Sequence, residues 1–203
     1  DGDSNPANPV IARRSFGAEP RHVGECGAAL IRAMQACGVA ACAKHFPGHG
    51  DTELDSHHEL PVVGHTLARL KDIELPPFEA AVRAGVASIM TAHLRMDAFD
   101  LAVPATLSRR IVTDLLRGDL GFKGVVISDD LEMQGIAASF SPGEAAVAAV
   151  QAGVDLVLMC HTPGAQHEAI DALSAAIDSG VLAGETVQAS AERRRVLWER
   201  YVR

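Results

Sequence analysis

The segment KHFPGHGDTELDSHHELP, from Lys44 to Pro61, concentrates side chains that could do chemistry. It contains four histidines and several carboxylates, and its proline and glycines favour a loop. Imidazole titrates near neutral pH, so a histidine can donate a proton, take one back or bind a metal ion. We therefore expect a functional site in this segment.

Residue types alone leave three interpretations of this loop open. In the first, His57 is a general acid/base, and Asp55, two residues earlier, orients it. In the second, histidine and aspartate side chains bind a metal ion, as in metal-dependent hydrolases, with ligands drawn from His45, His49, Asp51, His57 and His58. In the third, the loop is a solvated segment without chemistry.

A pair of carboxylates, Asp129 and Asp130, follows an apolar run in the segment VVISDDLEM. A carboxylate at the end of a buried strand can attack a sugar carbon or bind a metal ion. Aspartate also caps helix N-termini, and LEMQGI follows directly. Both the catalytic and the capping interpretation therefore stay open for these two residues.

Two further polar features could contribute to a site. Arg13 and Arg14, in NPVIARRSFG, could bind a carboxylate or the hydroxyls of a ligand, or they could be solvated surface residues. His93 follows another apolar run and could line the site or be a hydrogen-bonded histidine at the top of the core.

An alternating series of short apolar strands and helices must position these side chains. Continuous apolar runs predict four buried strands, at residues 39–46, 86–94, 124–131 and 154–160. Helical periodicity and breakers predict helices at residues 20–38, 67–85 with an interruption at the prolines, 108–120 with Ser108 as N-cap, 142–153 and 167–179.

Apolar strands separated by helices are typical of an α/β fold with a parallel sheet covered on both faces. Polar residues follow each strand, at the end where α/β barrels place their active sites: His45, His93, Asp129, Asp130 and His161. Four strand–helix modules are half of the eight in a closed barrel. One possibility is a small open sheet. The other is that residues 1–203 form a single domain that holds the C-terminal half of a (β/α)8 TIM barrel and is incomplete at its N-terminus. The Asn/Pro-rich start favours the half barrel.

Composition limits the class of partner. Of the 203 residues, 48% are hydrophobic and 22% charged, as in ordinary globular domains. The formal net charge of −8 disfavours nucleic acid and anionic membranes as partners, and no apolar run approaches the ~20 residues of a membrane span. The four cysteines lack CxxC spacing, so we predict that they are reduced and packed, which favours a cytoplasmic location.

Several segments together resemble the β-N-acetylglucosaminidase branch of family 3 glycoside hydrolases. The similarity extends from NPVIARRSFG to the VDLVLM strand, and it is carried in order and spacing by KHFPGHGDTELDSHHELPVV, ASIMTAHLRMDA, PATLS and GVVISDDLEM. The KHFPGHGDT…DSH loop is specific to that branch, whereas the SDD element is shared more widely in the family.

The resemblance implies a retaining mechanism. Asp129, which directly follows the serine of the SD element, would be the nucleophile. His57, the histidine of the DSH element, would be the acid/base, assisted by Asp55. Asp129 would attack the anomeric carbon while His57 protonates the leaving oxygen, and His57 would then activate water. A neutral histidine does not repel anions, so phosphate is a second conceivable acceptor.

The resemblance also implies which residues bind the sugar. Lys44 and His45 would contact sugar hydroxyls, and so would Arg14 rather than Arg13. It gives no catalytic role to His49, His58 or Asp130 and implies no metal or other cofactor.

The implied substrate is a terminal β-linked N-acetylglucosamine of the GlcNAc-anhydroMurNAc type, removed during cytoplasmic turnover of cell-wall fragments. The family also implies an N-terminal half of the barrel, which would supply further strands and a sugar-binding aspartate. Two other functions remain: a metal-dependent amidohydrolase, which would use the same His/Asp loop, and a non-catalytic sugar-binding remnant.

Overall fold

A parallel four-stranded sheet forms the centre of the computed structural model, which describes residues 1–11, 14–52 and 59–202. In chain order the strands are β1 (Cys42–Phe46), β2 (Val62–Val63), β3 (Ser88–Thr91), β4 (Arg95–Met96), β5 (Val125–Asp130) and β6 (Leu156–Leu158). The central sheet has the order β1-β3-β5-β6, and the short strands β2 and β4 pair separately, also in parallel. This confirms the predicted α/β fold with a parallel sheet.

Helices connect the strands of the sheet. They are α1 (Pro20–Ala36), α2 (Leu67–Asp72), α3 (Pro76–Arg83), a π-helix (Arg110–Asp119), α4 (Gln134–Ala137), α5 (Pro142–Ala152), α6 (Pro163–Asp178) and α7 (Gly184–Tyr201), with a 3-10 turn at Ala105–Leu107. None of the described helices combines the length and apolar character that a membrane crossing would need.

Local sequence explains several helix boundaries. The predicted interruption at the prolines is real, since α3 begins at Pro76, where a missing backbone N–H costs nothing. Helix α5 begins with a capping box in which Ser141 and Glu144 satisfy each other's backbone N–H groups. It ends at Gly153, whose φ of +113° suits glycine.

Two local predictions were wrong. Ser108 does not cap the following helix, because its hydroxyl donates instead to Oδ2 of Asp100 (2.7 Å). The helix itself is a π-helix, closed by bonds such as Leu120 N to Leu115 O (2.9 Å). The cysteines are free thiols as predicted, but three of the four are not packed: Cys37, Cys42 and Cys160 are exposed, and Cys26 is half-buried.

The core lies between the sheet and its covering helices. Its largest fully buried apolar side chains include Phe46, Ile89, Leu94, Met96, Ile111, Leu116 and Ile136. Phe46 ends β1 and packs edge-on against Phe78 of α3, with ring centroids 5.2 Å apart. Burial of these side chains fixes the strands whose carboxyl ends carry the polar residues.

A buried ion network ties the opposite, amino-terminal end of the strands together. The carboxylate of Asp155, just before β6, has no exposed surface. It accepts hydrogen bonds from the backbone N of Val126 (2.9 Å), from Arg117 Nη2 (2.6 Å) and from Arg193 Nη2 and Nε (2.8 and 3.0 Å). Because Arg193 lies on α7, this network fixes the last helix to the sheet.

Candidate active site

Strands β1 and β5 carry predicted site residues, and each has one residue more than the neighbouring strand at the point where those residues lie. Ala43 pairs with Ile89 and Phe46 with Thr91, so β1 has one residue more than β3 across Lys44 and His45. In the same way β5 gains one residue over β6 across Ser128 and Asp129. Such bulges re-aim side chains and are frequent at barrel rims beside active sites.

The two bulges bring His45 and Asp129 together. Nε2 of His45 lies 3.9 Å from Oδ2 of Asp129, too far for a direct hydrogen bond. The side chain of His45 is 8% exposed and that of Asp129 is 23% exposed. A ligand entering from the carboxyl edge of the sheet would therefore meet the carboxylate first, with the imidazole beside it.

The surroundings of His45 favour its neutral form. Burial lowers its pKa to about 3, and the opposing effect of the Asp129 carboxylate is smaller. The charges of Lys44, of the Asp1 amino group and of Arg14 lower the same pKa further, so Lys44 and Arg14 lie close enough to act on this site. The imidazole can therefore exchange hydrogen bonds with a neutral ligand without adding a positive charge.

Two hydrogen bonds from backbone N–H groups to side chains hold the turn at Asp129. Oδ1 of Asp129 accepts a hydrogen bond from the backbone N of Asp130 (2.9 Å). The hydroxyl of Ser128 accepts one from the backbone N of Leu158 in β6 (2.9 Å). These bonds fix the Asp129 carboxylate and leave Oδ2 directed toward His45.

The capping interpretation of Asp130 was wrong. Helix α4 begins only after Met133 and has no side-chain cap. Asp130 instead accepts from the backbone N of Glu132 (3.0 Å) through Oδ1, and its Oδ2 lies 3.1 Å from Nε2 of the exposed His161. Asp130 therefore shapes the turn rather than starting a helix.

His93 is a fully buried residue that supports this turn from below. Its Nε2 lies 2.9 Å from the backbone oxygen of Asp130, and its Nδ1 lies 2.9 Å from the hydroxyl of Thr106. Burial lowers the pKa of His93, which favours the neutral ring. Since a carbonyl oxygen only accepts, Nε2 carries the proton and Nδ1 accepts from Thr106. Of the two open interpretations, the core histidine is the one observed.

Asp1 contributes to the site although no local pattern in the sequence marks it. Its Oδ2 accepts from the backbone N of His45 (2.8 Å) and lies 2.7 Å from Nδ1 of the same residue. Its Oδ1 accepts from the backbone N of His49 (2.8 Å). One carboxylate thus spans the turn that begins the histidine-rich loop.

Within that loop, His49 is a buried packing residue. Its Nδ1 lies 2.7 Å from the hydroxyl of Thr52, and its backbone oxygen accepts from Nδ2 of Asn8 (2.7 Å). Gly48 allows the turn to approach Glu74, since a Cβ at Gly48 would lie 2.7 Å from the Cβ of Glu74. The start of the loop is therefore fixed by close packing as well as by Asp1.

A charged network joins the residues on either side of positions 53–58. Oδ2 of Asp51 lies 2.6 Å from Nε2 of His65 and accepts from Nη2 of Arg69 (3.1 Å). Nη1 of Arg69 also donates to Oε1 of the buried Glu74 (2.8 Å). Burial raises the pKa of Glu74, and the Arg69 guanidinium opposes that rise.

The predicted site residues are therefore only partly described. The structure places Lys44, His45 and Asp129 at one edge of the sheet, with Arg14 near enough to affect the pKa of His45. The Arg14 guanidinium itself donates to the backbone oxygen of Val10 through Nε (3.1 Å) and Nη2 (2.7 Å). Four residues named in the sequence predictions lie outside the described residues: Arg13, Asp55, His57 and His58.

Among residues 1–11, 14–52 and 59–202, no three histidine, cysteine, aspartate or glutamate side chains are grouped so that they could hold a metal ion. Two of the ligands drawn on by the metal interpretation, His57 and His58, are not among these residues.

Comparison with known proteins relates nearly all of the chain to one family. Residues 1–197 match the model of the glycosyl hydrolase family 3 N-terminal domain. Beta-hexosaminidase A of Pseudoalteromonas piscicida is 43% identical over 171 residues, which cover 78% of this chain and 29% of that protein. The beta-hexosaminidase of Bordetella avium is 42% identical over 165 residues, covering 81% of this chain and 47% of the relative.

A solved structure shows the same fold. The glycoside hydrolase family 3 β-N-acetylglucosaminidase of Paenibacillus superimposes with a TM-score of 0.97 at 46% sequence identity. The match covers 99% of this chain but 38% of that protein. The chain thus spans less than half the length of each of these three relatives.

Proposed function

The chain belongs to glycosyl hydrolase family 3, and from that membership we propose that it provides the nucleophile and much of the sugar-binding edge of a retaining β-N-acetylglucosaminidase. The observation that carries the proposal is the pairing of Asp129 with a neutral His45 across 3.9 Å at the carboxyl edge of the sheet. A carboxylate held by its neighbours but partly open to solvent suits attack on a ligand.

In the first step of the proposed reaction, Asp129 attacks the anomeric carbon. The bond from carbon to the leaving oxygen breaks, and His57 gives its proton to that oxygen. The product is a glycosyl ester on Asp129. The backbone N–H of Asp130 already donates to Oδ1, which supports Oδ2 as the attacking atom.

In the second step, His57 takes a proton from water, and the water oxygen bonds to the anomeric carbon as the ester bond breaks. Two inversions at one carbon retain the β configuration. Asp55 orients His57 in this scheme. The assignment of both residues rests on the DSH motif of the family, since they lie outside the described residues.

The proposed substrate is a terminal β-linked N-acetylglucosamine, as the names of the relatives suggest. Lys44, His45 and Arg14 contact its hydroxyls in this scheme. We further propose that the substrate is of the GlcNAc-anhydroMurNAc type and that the reaction takes place in the cytoplasm, which rests on the family resemblance. The free, exposed cysteines fit a reducing compartment.

We also propose that the four strand–helix modules form the C-terminal half of a (β/α)8 barrel within one catalytic domain. The order β1-β3-β5-β6 leaves β1 and β6 as the outer strands of this sheet, where further strands could pair. Strands from an N-terminal half would close the barrel and cover those edges.

Covalent trapping tests the function directly. The full-length protein is treated with a slow, fluorinated N-acetylglucosaminyl substrate and digested, and the adduct is located by peptide mass spectrometry. We expect the sugar on Asp129, no adduct in Asp129→Asn, and an unchanged adduct in Asp178→Asn, whose exposed side chain lies at the last residue of α6.

Other outcomes would select the alternatives. Turnover that is abolished by a chelator and leaves no adduct would indicate a metal-dependent amidohydrolase. Sugar binding without turnover would indicate a non-catalytic remnant. Added phosphate that yields the sugar 1-phosphate would show that phosphate replaces water in the second step.

A further inference from the structure

We propose that Asp1 is a positioning residue that holds His45 as the Nδ1–H tautomer, so that Nε2 accepts a hydrogen bond from a sugar hydroxyl beside the nucleophile. The inference deepens the proposed function and rests on it for the identity of the ligand. The tautomer itself follows from the contacts of the two side chains.

The Asp1 carboxylate is almost completely buried, with 4% of its side chain exposed. Three donors surround it: the backbone N of His45 (2.8 Å), the backbone N of His49 (2.8 Å) and Nδ1 of His45 (2.7 Å). Such an arrangement suits an ionised carboxylate, which can only accept. Nδ1 of His45 must therefore carry a proton.

The proton on Nδ1 determines what Nε2 can do. A neutral imidazole has one N–H group, so Nε2 presents a lone pair. This lone pair lies 3.9 Å from Oδ2 of Asp129, which is also an acceptor. Two neighbouring acceptors favour a ligand that brings hydrogen-bond donors, and a terminal N-acetylglucosamine carries hydroxyl donors at C3, C4 and C6 and an amide N–H at C2. His45 thus favours a ligand that brings a hydroxyl donor beside the Asp129 carboxylate.

The segment that carries Asp1 is itself held in place. The hydroxyl of Ser15 donates to the backbone oxygen of Asp1 (3.0 Å), and the backbone N of Asp3 donates to the backbone oxygen of Gly17 (2.8 Å). Any Cβ at Gly50 would collide with the backbone oxygen of Gly2, so the two segments meet at the closest distance that glycine allows. The carboxylate is therefore preorganised rather than free to follow the imidazole.

The tautomer can be measured without any substrate. Two-bond ¹H–¹⁵N correlation spectra of the ¹⁵N-histidine-labelled full-length protein show which ring nitrogen carries the proton, and loss of a signal in His45→Gln assigns the residue. We expect Nδ1–H for His45 in the wild type. A wild-type ring protonated on Nε2 would overturn the proposal, whatever the enzyme activity.

The variant Asp1→Asn tests the role of the carboxylate. An amide has one acceptor and one donor, so it cannot satisfy all three N–H groups, and an NH₂ group facing Nδ1 moves the ring proton to Nε2. We expect a shift of His45 toward the Nε2–H tautomer and a loss of kcat on the order of 10- to 100-fold, with a smaller change in KM, as for other residues that orient a functional histidine. Unchanged spectra and kinetics in this variant would contradict the proposal.

A matched control and a ligand titration separate this inference from the proposed function. Asp3→Asn makes the same charge change two residues away, and no described contact joins its side chain to His45, so spectra and kinetics should match the wild type. Titration with N-acetylglucosamine should move the ¹⁵N resonance of His45 Nε2. If the tautomer is as stated but no sugar moves Nε2, the hydroxyl-binding part is wrong; if sugar moves Nε2 but no turnover follows, the proposed function alone fails.

Discussion

Nε2 of His93 donates a hydrogen bond to the backbone oxygen of Asp130, 37 residues further along the chain. The bond crosses from the end of β3 to the end of β5 inside the core, and it fixes the residue that follows Asp129. The position of the candidate nucleophile thus depends on a buried side chain that has no contact with solvent.

Loss of this donor should affect both stability and turnover. We expect His93→Phe to lower the free energy of unfolding by about 1–3 kcal/mol, because two buried hydrogen bonds are lost, one to the Asp130 oxygen and one to the Thr106 hydroxyl. We also expect kcat to fall more than KM rises. Urea unfolding and steady-state kinetics would measure the two effects. His93→Gln, which keeps an N–H donor, should lie between wild type and His93→Phe; equal losses in both variants would argue against the hydrogen bond as the cause.

The neutral state of His45 predicts a pH dependence of stability. Its pKa is about 3 in the folded protein and about 6.5 in the unfolded chain, so between these values the unfolded state binds the extra proton. The free energy of unfolding should therefore fall as the pH drops from 6.5 toward 3, by at most about 1.4 kcal/mol per pH unit for this one group. His45→Gln should show a shallower slope in urea titrations at pH 7, 6 and 5. Parallel slopes for the two proteins would count against a buried neutral His45.

Because Gly48 lies so close to Glu74, we expect Gly48→Ala to destabilise the protein more than Gly38→Ala. Gly48 and Gly38 both have positive φ, +132° and +79°, so alanine is strained at either position. A Cβ at Gly48 would also lie 2.7 Å from the Cβ of Glu74, whereas at Gly38 it would meet nothing within 4 Å. In thermal or urea unfolding, Gly48→Ala should lower the free energy of unfolding by about 1–3 kcal/mol more than Gly38→Ala does. Equal costs would mean that the loop moves freely away from Glu74.

The buried Asp155 network should contribute to stability without affecting the sugar site. In Asp155→Asn the guanidinium groups of Arg117 and Arg193 lose a carboxylate that is fully buried. We expect the free energy of unfolding to fall by about 3–5 kcal/mol, with KM unchanged while the protein is folded, because this network lies at the amino-terminal end of the strands. The control Asp178→Asn, at an exposed position on α6, should lower the free energy of unfolding by less than about 0.5 kcal/mol. A clear change in KM for Asp155→Asn would show that the two ends of the sheet are coupled.

The acid/base role proposed for His57 predicts a dependence on the leaving group. His57→Ala should lower kcat/KM by about 10²- to 10⁴-fold for an alkyl glycoside, whose leaving oxygen needs a proton. A nitrophenyl glycoside leaves without protonation, so its first step should be far less affected, and the ester on Asp129 should accumulate. Initial-burst measurements would detect it. An equal loss for both substrates would contradict the assignment.

The sequence was sufficient for those features that depend on local patterns. Apolar runs located all four strands of the central sheet, and prolines marked the starts of α3 and α5. The two-residue strands β2 and β4 are too short to leave a pattern. Ser108 has the residue type of a helix cap, but a carboxylate eight residues earlier competes successfully for its hydroxyl.

The sequence singled out the central residues of the candidate site but not Asp1, the residue that supports them. Lys44, His45 and Asp129 were identified by their place after apolar strands and by family resemblance, and the structure brings them to one edge. Asp1 was not identified because its partner His45 lies 44 residues away, and periodicity carries no information on contacts at that separation. The roles of Lys44, His45, Asp55, His57 and Asp129 stay predictions.

The extra residue in β1 and in β5 has a consequence for anyone who wants to transplant this chemistry to another scaffold. Side chains on a regular strand alternate between the two faces, so copying Lys44–His45 or Ser128–Asp129 onto an unbulged strand would send one member of each pair in a different direction. A graft would have to carry the insertion together with the functional side chains. Searches of designed barrels for such sites should accordingly match backbone shape before residue identity.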